Sequence, residues 1–245
     1  SEEVRAGTLS REAFLSSDKA MIRSKGHCNT MGTASTMAIM AEALGMTIPG
    51  LAGTPAPDAR LLEASHATGR LAVELVREGR TIADVITRES FTNAIVALAA
   101  CGGSTNAVVH LLAIAGRLGI ELTLDDFDRI GADVPLLVNL QPAGTYLGEE
   151  YHRAGGVPAV VNELMKHGLI HEQALTVNGK PIGDNCRGRE AEDRDVIRTF
   201  ATALKADAGF LKDHLSLVFF LPAVMLLGGT ASALSSTRVI REAQE

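Results

Sequence analysis

The sequence has 245 residues, of which 46% are hydrophobic and 4% aromatic, and its formal net charge is −6. A chain of this length and apolar content can bury a substantial core, as one large domain or two smaller ones. Basic and acidic residues are interspersed, with no basic stripe to follow a phosphate backbone and no tryptophan for base stacking. Nucleic acid is therefore not expected as a partner.

Successive helices are predicted between residues 36 and 118, separated by glycines and capping residues. The first covers residues 36–44, and the second opens at Pro57-Asp58, closes at Gly79 and carries an apolar stripe of Leu61, Leu62, Leu71, Leu75 and Val76. Thr81 and Ser90 are the expected N-caps of two more, the second of which runs to Cys101. Ser104 is the expected cap of the helix that follows the Gly102-Gly103 break.

The pattern becomes mixed after residue 120. It predicts a capping box at Thr123 to Asp126, a buried strand over residues 135–140, a helix over 159–167, a hairpin at Asn178-Gly179 and a linker over 184–195. This periodicity indicates a helical α/β layer up to about residue 183, followed by the start of a β-rich part.

Cysteine usage and apolar runs predict where the protein resides. Cys28, Cys101 and Cys186 form no Cys-x-x-Cys pair, which argues against a disulfide scaffold or a structural zinc site. Residues 1–11 lack the apolar core of a secretory signal, and the apolar run at 215–227 is shorter than the ~20 residues that span a bilayer. We expect a cytoplasmic protein, or one of the mitochondrial matrix in a eukaryote, with no membrane partner. Because the sequence does not begin with Met, we also expect it to be part of a longer chain.

Residues 26–36 place Cys28 in a run of small, hydroxyl-rich residues directly before an apolar helix. Free backbone N–H groups at a helix start favour a thiolate or a bound anion. The pattern alone leaves two interpretations open for Cys28: a ligand or nucleophile, or a buried small side chain. His27, next to it, could orient the thiolate, although local packing is the simpler interpretation.

A second candidate site is the turn from Gly102 to Asn106. A glycine pair before Ser104, Thr105 and Asn106 presents backbone amides and hydroxyls that suit a substrate carboxylate. Ser104 could equally serve only as the cap of its own helix. Outside these sites, Cys101 is expected to pack as a small apolar residue. His110 is expected in the core, and Cys186 is expected to be exposed or half-buried.

Several segments together resemble the dihydroxy-acid dehydratase and phosphogluconate dehydratase family. They are Cys-Asn-Thr-Met-Gly-Thr-Ala-Ser-Thr-Met at 28–37, Glu-Ala-Leu-Gly-Met-Thr-Ile-Pro-Gly at 42–50 and Gly-Gly-Ser-Thr-Asn-Ala-Val-Val-His-Leu at 102–111. Asp184-Asn185, residues 195–198 and Leu204-Lys205 extend the resemblance, which covers residues 3–210. The residues after Cys28 are most similar to the sugar-acid (aldonate) branch.

The resemblance implies a three-layer α/β/α domain joined to a β-barrel-like domain, with the active site between them. Residues 1–183 would then be the later half of the first domain, and residues 184–245 the linker and incomplete start of the second. It also implies a homo-oligomer that acts on a small hydroxy acid.

The resemblance further implies that Cys28 is one of three thiolate ligands of an iron–sulfur cluster, [2Fe–2S] rather than [4Fe–4S]. In the family, Mg²⁺ holds the carboxylate and C2 hydroxyl of a 2,3-dihydroxy acid, a base removes the C2 proton, and an open iron accepts the C3 hydroxyl. Loss of water gives a 2-keto acid. The other cluster ligands, the Mg²⁺ ligands and the base find no match in this sequence, so we expect the isolated chain to be inactive. No catalytic residue is assigned, and both branched-chain and sugar acids remain open as substrates.

Two alternatives come from other classes of protein. One is a catalytically incomplete α/β domain that uses its apolar surfaces for assembly. The other is an enzyme with Cys28 as nucleophile and His27 as base, which is weaker because adjacent residues seldom direct both side chains at one substrate.

Overall fold

The computed structural model describes residues 2–21 and 25–206, and residues 207–245, with the apolar run at 215–227, lie outside this part. The described part is mostly helical. Its helices are α1 (Glu2–Arg5), α2 (Arg11–Met21), α3 (Thr33–Ala43), α4 (Ala59–Glu78), α5 (Ile82–Val85), α6 (Arg88–Cys101), α7 (Asn106–Leu118), α8 (Leu124–Gly131), α9 (Gly148–Arg153), α10 (Gly156–Met165) and α11 (Ile182–Cys186). A short 3-10 turn, Phe200–Thr202, follows them.

Helix α6 is the centre of the fold, and α3, α7, α8 and α10 pack around it. Every residue from Asn93 to Cys101 is buried. The alanines of this segment let neighbouring helices approach on all sides, as a helix that is apolar all round requires. The candidate site lies at the end of this central helix, where α6 turns into α7.

Capping side chains fix most helix starts near the predicted positions. The predicted box at the start of α8 is confirmed, because the Thr123 backbone N–H donates to Asp126 Oδ2 over 2.9 Å. The N-cap predicted for α6 is wrong by three residues. Thr87 is the cap, and Ser90, in the third helical position, accepts from the Thr87 N–H over 3.2 Å. Ser90 thus plays the role that Glu or Gln has in a standard box.

The apolar segment 135–140 is extended and buried, but within the described residues it forms isolated bridges rather than a continuous strand. Leu136 pairs with Lys205 and Val138 with Ile197, both antiparallel. The reason is that the segment also pairs with a helix end: the N–H groups of Leu137 and Val138 both donate to the carbonyl of Ala100, over 2.8 and 3.1 Å. The predicted β-rich continuation falls mainly on residues outside the described part.

The hairpin predicted at Asn178-Gly179 is confirmed, as a short turn closed by a single antiparallel bridge. Leu175 bridges Pro181, and the Thr176 N–H donates to the Lys180 carbonyl over 3.0 Å. Gly179 has φ +80°, the left-handed conformation that such turns need. The hairpin is attached to the end of α3, because the Val177 N–H donates to the Gly45 carbonyl over 2.8 Å.

Helix α4 forms where it was predicted, but its apolar side chains are not in the core. Asp58 accepts from the Arg60 N–H over 2.9 Å at its start, and Gly79 ends it in the left-handed conformation. No residue of α4 is buried, and Leu62 and Val76 are 67% and 80% exposed. The predicted stripe thus mixes half-buried residues with residues that face solvent.

Residues 184–195, which were predicted as a linker, pack against α10. The first three belong to α11, which packs against α10. Further along, Glu190 pairs with Lys166 at 2.8 Å, and Arg194 approaches the buried Glu163 at 3.3 Å. These charges compensate one another against α10, so this stretch belongs to the same packed unit. The domain division at residue 183 stays a prediction.

A search of the described helices for a membrane span found none that is both long and apolar enough.

Candidate functional site

Cys28 lies in the loop before α3, which we call the Cys28 loop (residues 26–32). Its side chain is exposed, whereas Cys101 and Cys186 are buried. The interpretation of Cys28 as a buried small residue is therefore wrong. The Thr30 hydroxyl lies 3.1 Å from Cys28 Sγ, and this hydrogen bond lowers the pKa of the thiol from its usual value. A thiol with stabilised thiolate character is the form that binds metals and attacks electrophiles.

Two further side chains shape the Cys28 loop. Ser35 Oγ lies 2.7 Å from the Thr30 carbonyl oxygen and 3.1 Å from that of Cys28, within donating distance of both. The His27 ring donates from Nδ1 to the Cys28 carbonyl over 2.8 Å. His27 therefore holds the backbone of the loop, as the packing interpretation expects. Because Nδ1 donates to this carbonyl, Nε2 is the ring nitrogen left to act as a base, and a role of His27 as base for the thiol stays a prediction.

The turn from α6 to α7 (residues 102–106, the Ser104 loop) contacts the start of α3. The Ser104 N–H donates to the Thr36 hydroxyl over 2.9 Å, and Asn106 Nδ2 donates to Thr33 Oγ1 over 2.7 Å. Thr33 Oγ1 also lies 3.4 Å from Ser104 Oγ. The Ser104 loop thus contacts the first turn of α3, the helix that directly follows the Cys28 loop.

Thr33 is the connecting residue, and no role was predicted for it. Its place in the hydroxyl-rich run after Cys28 was the available signal, but its partner is 73 positions away in sequence. Ser104 also behaves as a local cap, since its Oγ accepts from the Asn106 N–H over 3.3 Å. Thr105, at the N-cap position of α7, makes no side-chain cap hydrogen bond. Carboxylate binding by Ser104, Thr105 and Asn106 stays a prediction.

The remaining candidate residues divide clearly by burial. Cys101 packs as predicted, 4.0 Å from the Tyr151 hydroxyl, and burial raises its pKa to about 12. Cys186 was expected at the surface, but it is buried, and burial raises its pKa to about 12 as well. It is buried because α11 docks against α10. His110 was expected in the core but is exposed, because it lies on the face of α7 that α3 and α6 leave uncovered.

Among the described residues, the exposed Cys28 thiol is the side chain that suits a metal ligand. An exposed thiolate is a soft ligand of the kind that iron–sulfur clusters use. Among residues 2–21 and 25–206, however, no three His, Cys, Asp or Glu side chains come together as a metal site. Cys28 can therefore serve as one ligand of a cluster, and a Mg²⁺ site is not formed by the residues described.

The sequence profile of the N-terminal domain of dihydroxy-acid and 6-phosphogluconate dehydratases matches residues 1–185. This match covers more than half of the 245 residues, so the chain belongs to that family. The family expected from the sequence motifs is thereby confirmed.

Three relatives illustrate the range of the family. The chain is 47% identical to D-xylonate dehydratase of Caulobacter vibrioides over 84% of its length and 34% of the relative's. It is 49% identical to L-arabinonate dehydratase of Rhizobium leguminosarum over 86% and 36% of the two lengths. It is 43% identical to dihydroxy-acid dehydratase of Mycobacterium ulcerans over 83% and 36%. The chain thus spans about a third of the length of the curated relatives it matches.

Proposed function

We propose that this chain is part of a hydro-lyase that removes water from a 2,3-dihydroxy carboxylic acid and releases a 2-keto acid. The observation that carries the proposal is the exposed Cys28 thiol, with its lowered pKa, in the loop that leads into α3, whose first turn contacts the Ser104 loop. Relatives named as sugar-acid and dihydroxy-acid dehydratases support the reaction class. Sugar acids and branched-chain dihydroxy acids both remain in the proposal.

In this proposal Cys28 is a ligand of an iron–sulfur cluster, with [2Fe–2S] preferred over [4Fe–4S]. When bound, such a cluster supplies a Lewis acid for a hydroxyl leaving group. The role of the chain is to keep the sulfur ionised and in place. Thr30 donates to the sulfur, and Ser35 and His27 hold the carbonyl groups of the same loop.

Ser104, Thr105 and Asn106 are proposed to bind the carboxylate of the substrate. The N-termini of α3 and α7 meet here, and helix N-termini carry a partial positive charge that favours an anion. Thr33 and Asn106 are already joined over 2.7 Å, so their groups are oriented before any anion binds. Mg²⁺ belongs to the family's chemistry, but the described residues do not form a carboxylate cluster for it. No step is therefore assigned to it, and the base stays unassigned.

The finer description of the fold belongs to the same proposal. Residues 1–183 are proposed to be the later half of a three-layer α/β/α domain and residues 184–245 the start of a β-rich one. A homo-oligomer in a reducing compartment such as the cytoplasm suits a protein whose thiolate ligand must stay reduced.

The test is anaerobic iron–sulfur reconstitution of the chain, followed by visible absorption and by iron and sulfide analysis. Cys28→Ser is the test variant, and Cys186→Ser is the matched control, because the Cys186 thiol is buried. Because the other thiolate ligands find no match in this chain, a thiol of the reconstitution buffer or a second copy has to complete the cluster. We expect cluster absorption in the wild type and in Cys186→Ser, and its loss in Cys28→Ser. A cluster that survives in Cys28→Ser, or no bound iron and sulfide in any form, would contradict the proposal.

One observation favours a second function, that of a structural module in an assembly. Leu62, Val73 and Val76 on α4 are 67%, 51% and 80% exposed, which is unusual for three apolar residues of one helix. Because the isolated chain is expected to form no 2-keto acid in either case, iron–sulfur reconstitution and a measurement of self-association separate the two functions. A chain that binds no cluster and forms no keto acid, yet associates through α4, would be a structural module.

A further inference from the structure

Asn139 is a buried polar residue in the otherwise apolar segment 135–140, and only 5% of it is exposed. Its side-chain Nδ2 donates to the Asp195 carbonyl over 3.0 Å, and its Oδ1 accepts from the Thr145 N–H over 2.9 Å. Its backbone N–H donates to the Val196 carbonyl over 2.9 Å, and its carbonyl accepts from the Tyr146 N–H over 3.0 Å. One residue thus joins two segments of backbone, around 195 and around 145, through all four of its polar groups.

The chain after Asn139 folds tightly around this side chain. The Gly144 N–H donates to the Leu140 carbonyl over 2.7 Å. A Cβ atom on Gly144 would lie 2.3 Å from Asn139 Oδ1 and 2.6 Å from the Asn139 carbonyl carbon. The turn therefore requires glycine at position 144.

The same turn holds the Cys28 loop at two residues that follow Cys28, Asn29 and Met31. The Met31 N–H donates to the Gln141 carbonyl over 2.8 Å, and the Gly148 N–H donates to the Asn29 carbonyl over 2.7 Å. Gln141 is itself fixed, because its N–H donates to the Tyr146 carbonyl over 2.9 Å. The position of the Cys28 loop therefore depends on the conformation of residues 141–148.

We infer that Asn139 is a positioning residue, which sets the Cys28 loop by joining residues 141–148 to residues 195–196. A leucine would fill the same volume without the cost of burying an amide, so packing alone does not call for asparagine. An amide fits this position because one segment offers a carbonyl and the other an N–H, and the buried Asn139 side chain thereby has a partner for its donor and for its acceptor. The relevance of the inference to catalysis rests on the proposed role of Cys28, but the coupling itself does not.

The test compares Asn139→Ala with Asn93→Ala in the full 245-residue chain. Asn93 is a matched control, because it is also buried and its side chain also makes two hydrogen bonds to backbone. Its Nδ2 donates to the His171 carbonyl, and its Oδ1 accepts from the His171 N–H. We expect amide hydrogen exchange at Met31 and Gly148 to become about tenfold faster in Asn139→Ala and to change less than about twofold in Asn93→Ala. Iodoacetamide alkylation, which the burial of the other two thiols directs to Cys28, should change at least about threefold in Asn139→Ala only.

Equal changes in both variants, or unchanged exchange at Met31 and Gly148 in Asn139→Ala, would overturn the inference and leave Asn139 as a stabilising residue only. Asn139→Asp is the second variant, in case the alanine form does not fold. It keeps the acceptor for Thr145 and loses the donor to Asp195, so we expect the same pattern at a smaller amplitude. Neither readout involves a cluster. Failure of iron–sulfur reconstitution would therefore count against the proposed function alone.

Discussion

At the scale of single residues, Glu42 illustrates how a buried charge can organise a loop. Its carboxylate accepts from the N–H groups of Gly50 and Ala52, over 2.6 and 2.8 Å. These two bonds hold the loop that connects α3 to α4. Burial nevertheless raises the pKa of Glu42 to about 7, because the two hydrogen bonds only partly offset desolvation. Tyr151 and Cys186 are titratable groups that interact with Glu42.

This raised pKa predicts a pH dependence of stability. The unfolded chain releases the Glu42 proton near its ordinary pKa of 4.5, while the folded chain holds it until about pH 7. The contribution is therefore fully present below pH 4.5 and is lost as the pH rises to about 7. Glu42→Gln cannot titrate, so between pH 5 and pH 8 the wild type should lose about 2 to 3 kcal/mol more than the variant. Urea unfolding across this range measures the difference, and parallel curves for both proteins would show that Glu42 does not titrate in this way.

At the scale of elements, the contact between α3 and the start of α7 depends on one hydroxyl. Thr36 is 1% exposed, and its Oγ1 accepts from the Ser104 N–H over 2.9 Å. Thr36→Val keeps the shape but leaves that N–H buried without an acceptor, at a cost of about 1 to 3 kcal/mol. Thr36→Ser keeps the acceptor and loses a methyl group, about 1 kcal/mol. We expect Thr36→Val to have the lower urea midpoint, together with faster exchange of the Ser104 amide, and the reverse order would argue that packing dominates.

The elements also show which features of this fold are local in origin. Asp58, Thr123 and the Asn178-Gly179 pair act within a few residues of themselves, so a sequence pattern was enough to place α4, α8 and the hairpin. Thr87 and Ser90 belong to the same capping box, Thr87 as the N-cap and Ser90 in the third helical position. Both residue types are suitable N-caps, so the sequence pattern could not decide which of the two begins α6.

Burial and long-range contacts were harder to predict, for a physical reason. Periodicity gives the side of a helix that is apolar, but not whether a neighbour covers it, which explains His110 and the outer residues of α4. Cys186 lies in a charged stretch that forms ion pairs with residues at α10. These pairs could not be predicted from the sequence, and so the burial of Cys186 could not be predicted either. Cys28 and the Ser104 loop could each be found from their own motifs. The contact of the Ser104 loop with Thr33, in the helix that follows the Cys28 loop, could not be predicted, because it depends on how α6 directs the chain back to α3.

At the scale of the whole molecule, the family profile ends at residue 185, but the packed unit continues beyond it. Val196 and Ile197 are 1% and 0% exposed. The Arg198 N–H donates to the Leu137 carbonyl, and the Leu204 N–H donates to the Leu136 carbonyl, each over 2.9 Å. Residues 193–205 therefore provide one side of the backbone pairing of the segment 135–140, which itself carries Asn139.

This pairing predicts where the chain can be shortened. A chain that ends after Arg189 loses the partners of residues 136–139 and the two buried side chains at 196 and 197. Burying one such side chain is worth about 1.5 to 3 kcal/mol. The free energy of unfolding of the chain that ends after Arg189 should therefore be at least about 3 kcal/mol lower than that of a chain that ends after Ala206. A chain that ends after Thr199 keeps the Val138–Ile197 bridge but not the Leu136–Lys205 bridge, and should fall between the two. Urea unfolding followed by circular dichroism orders the three chains. If a folding boundary instead lies at residue 183, as the sequence predicted, all three will share one midpoint, and residues 193–205 will prove to be an appendage rather than part of the core.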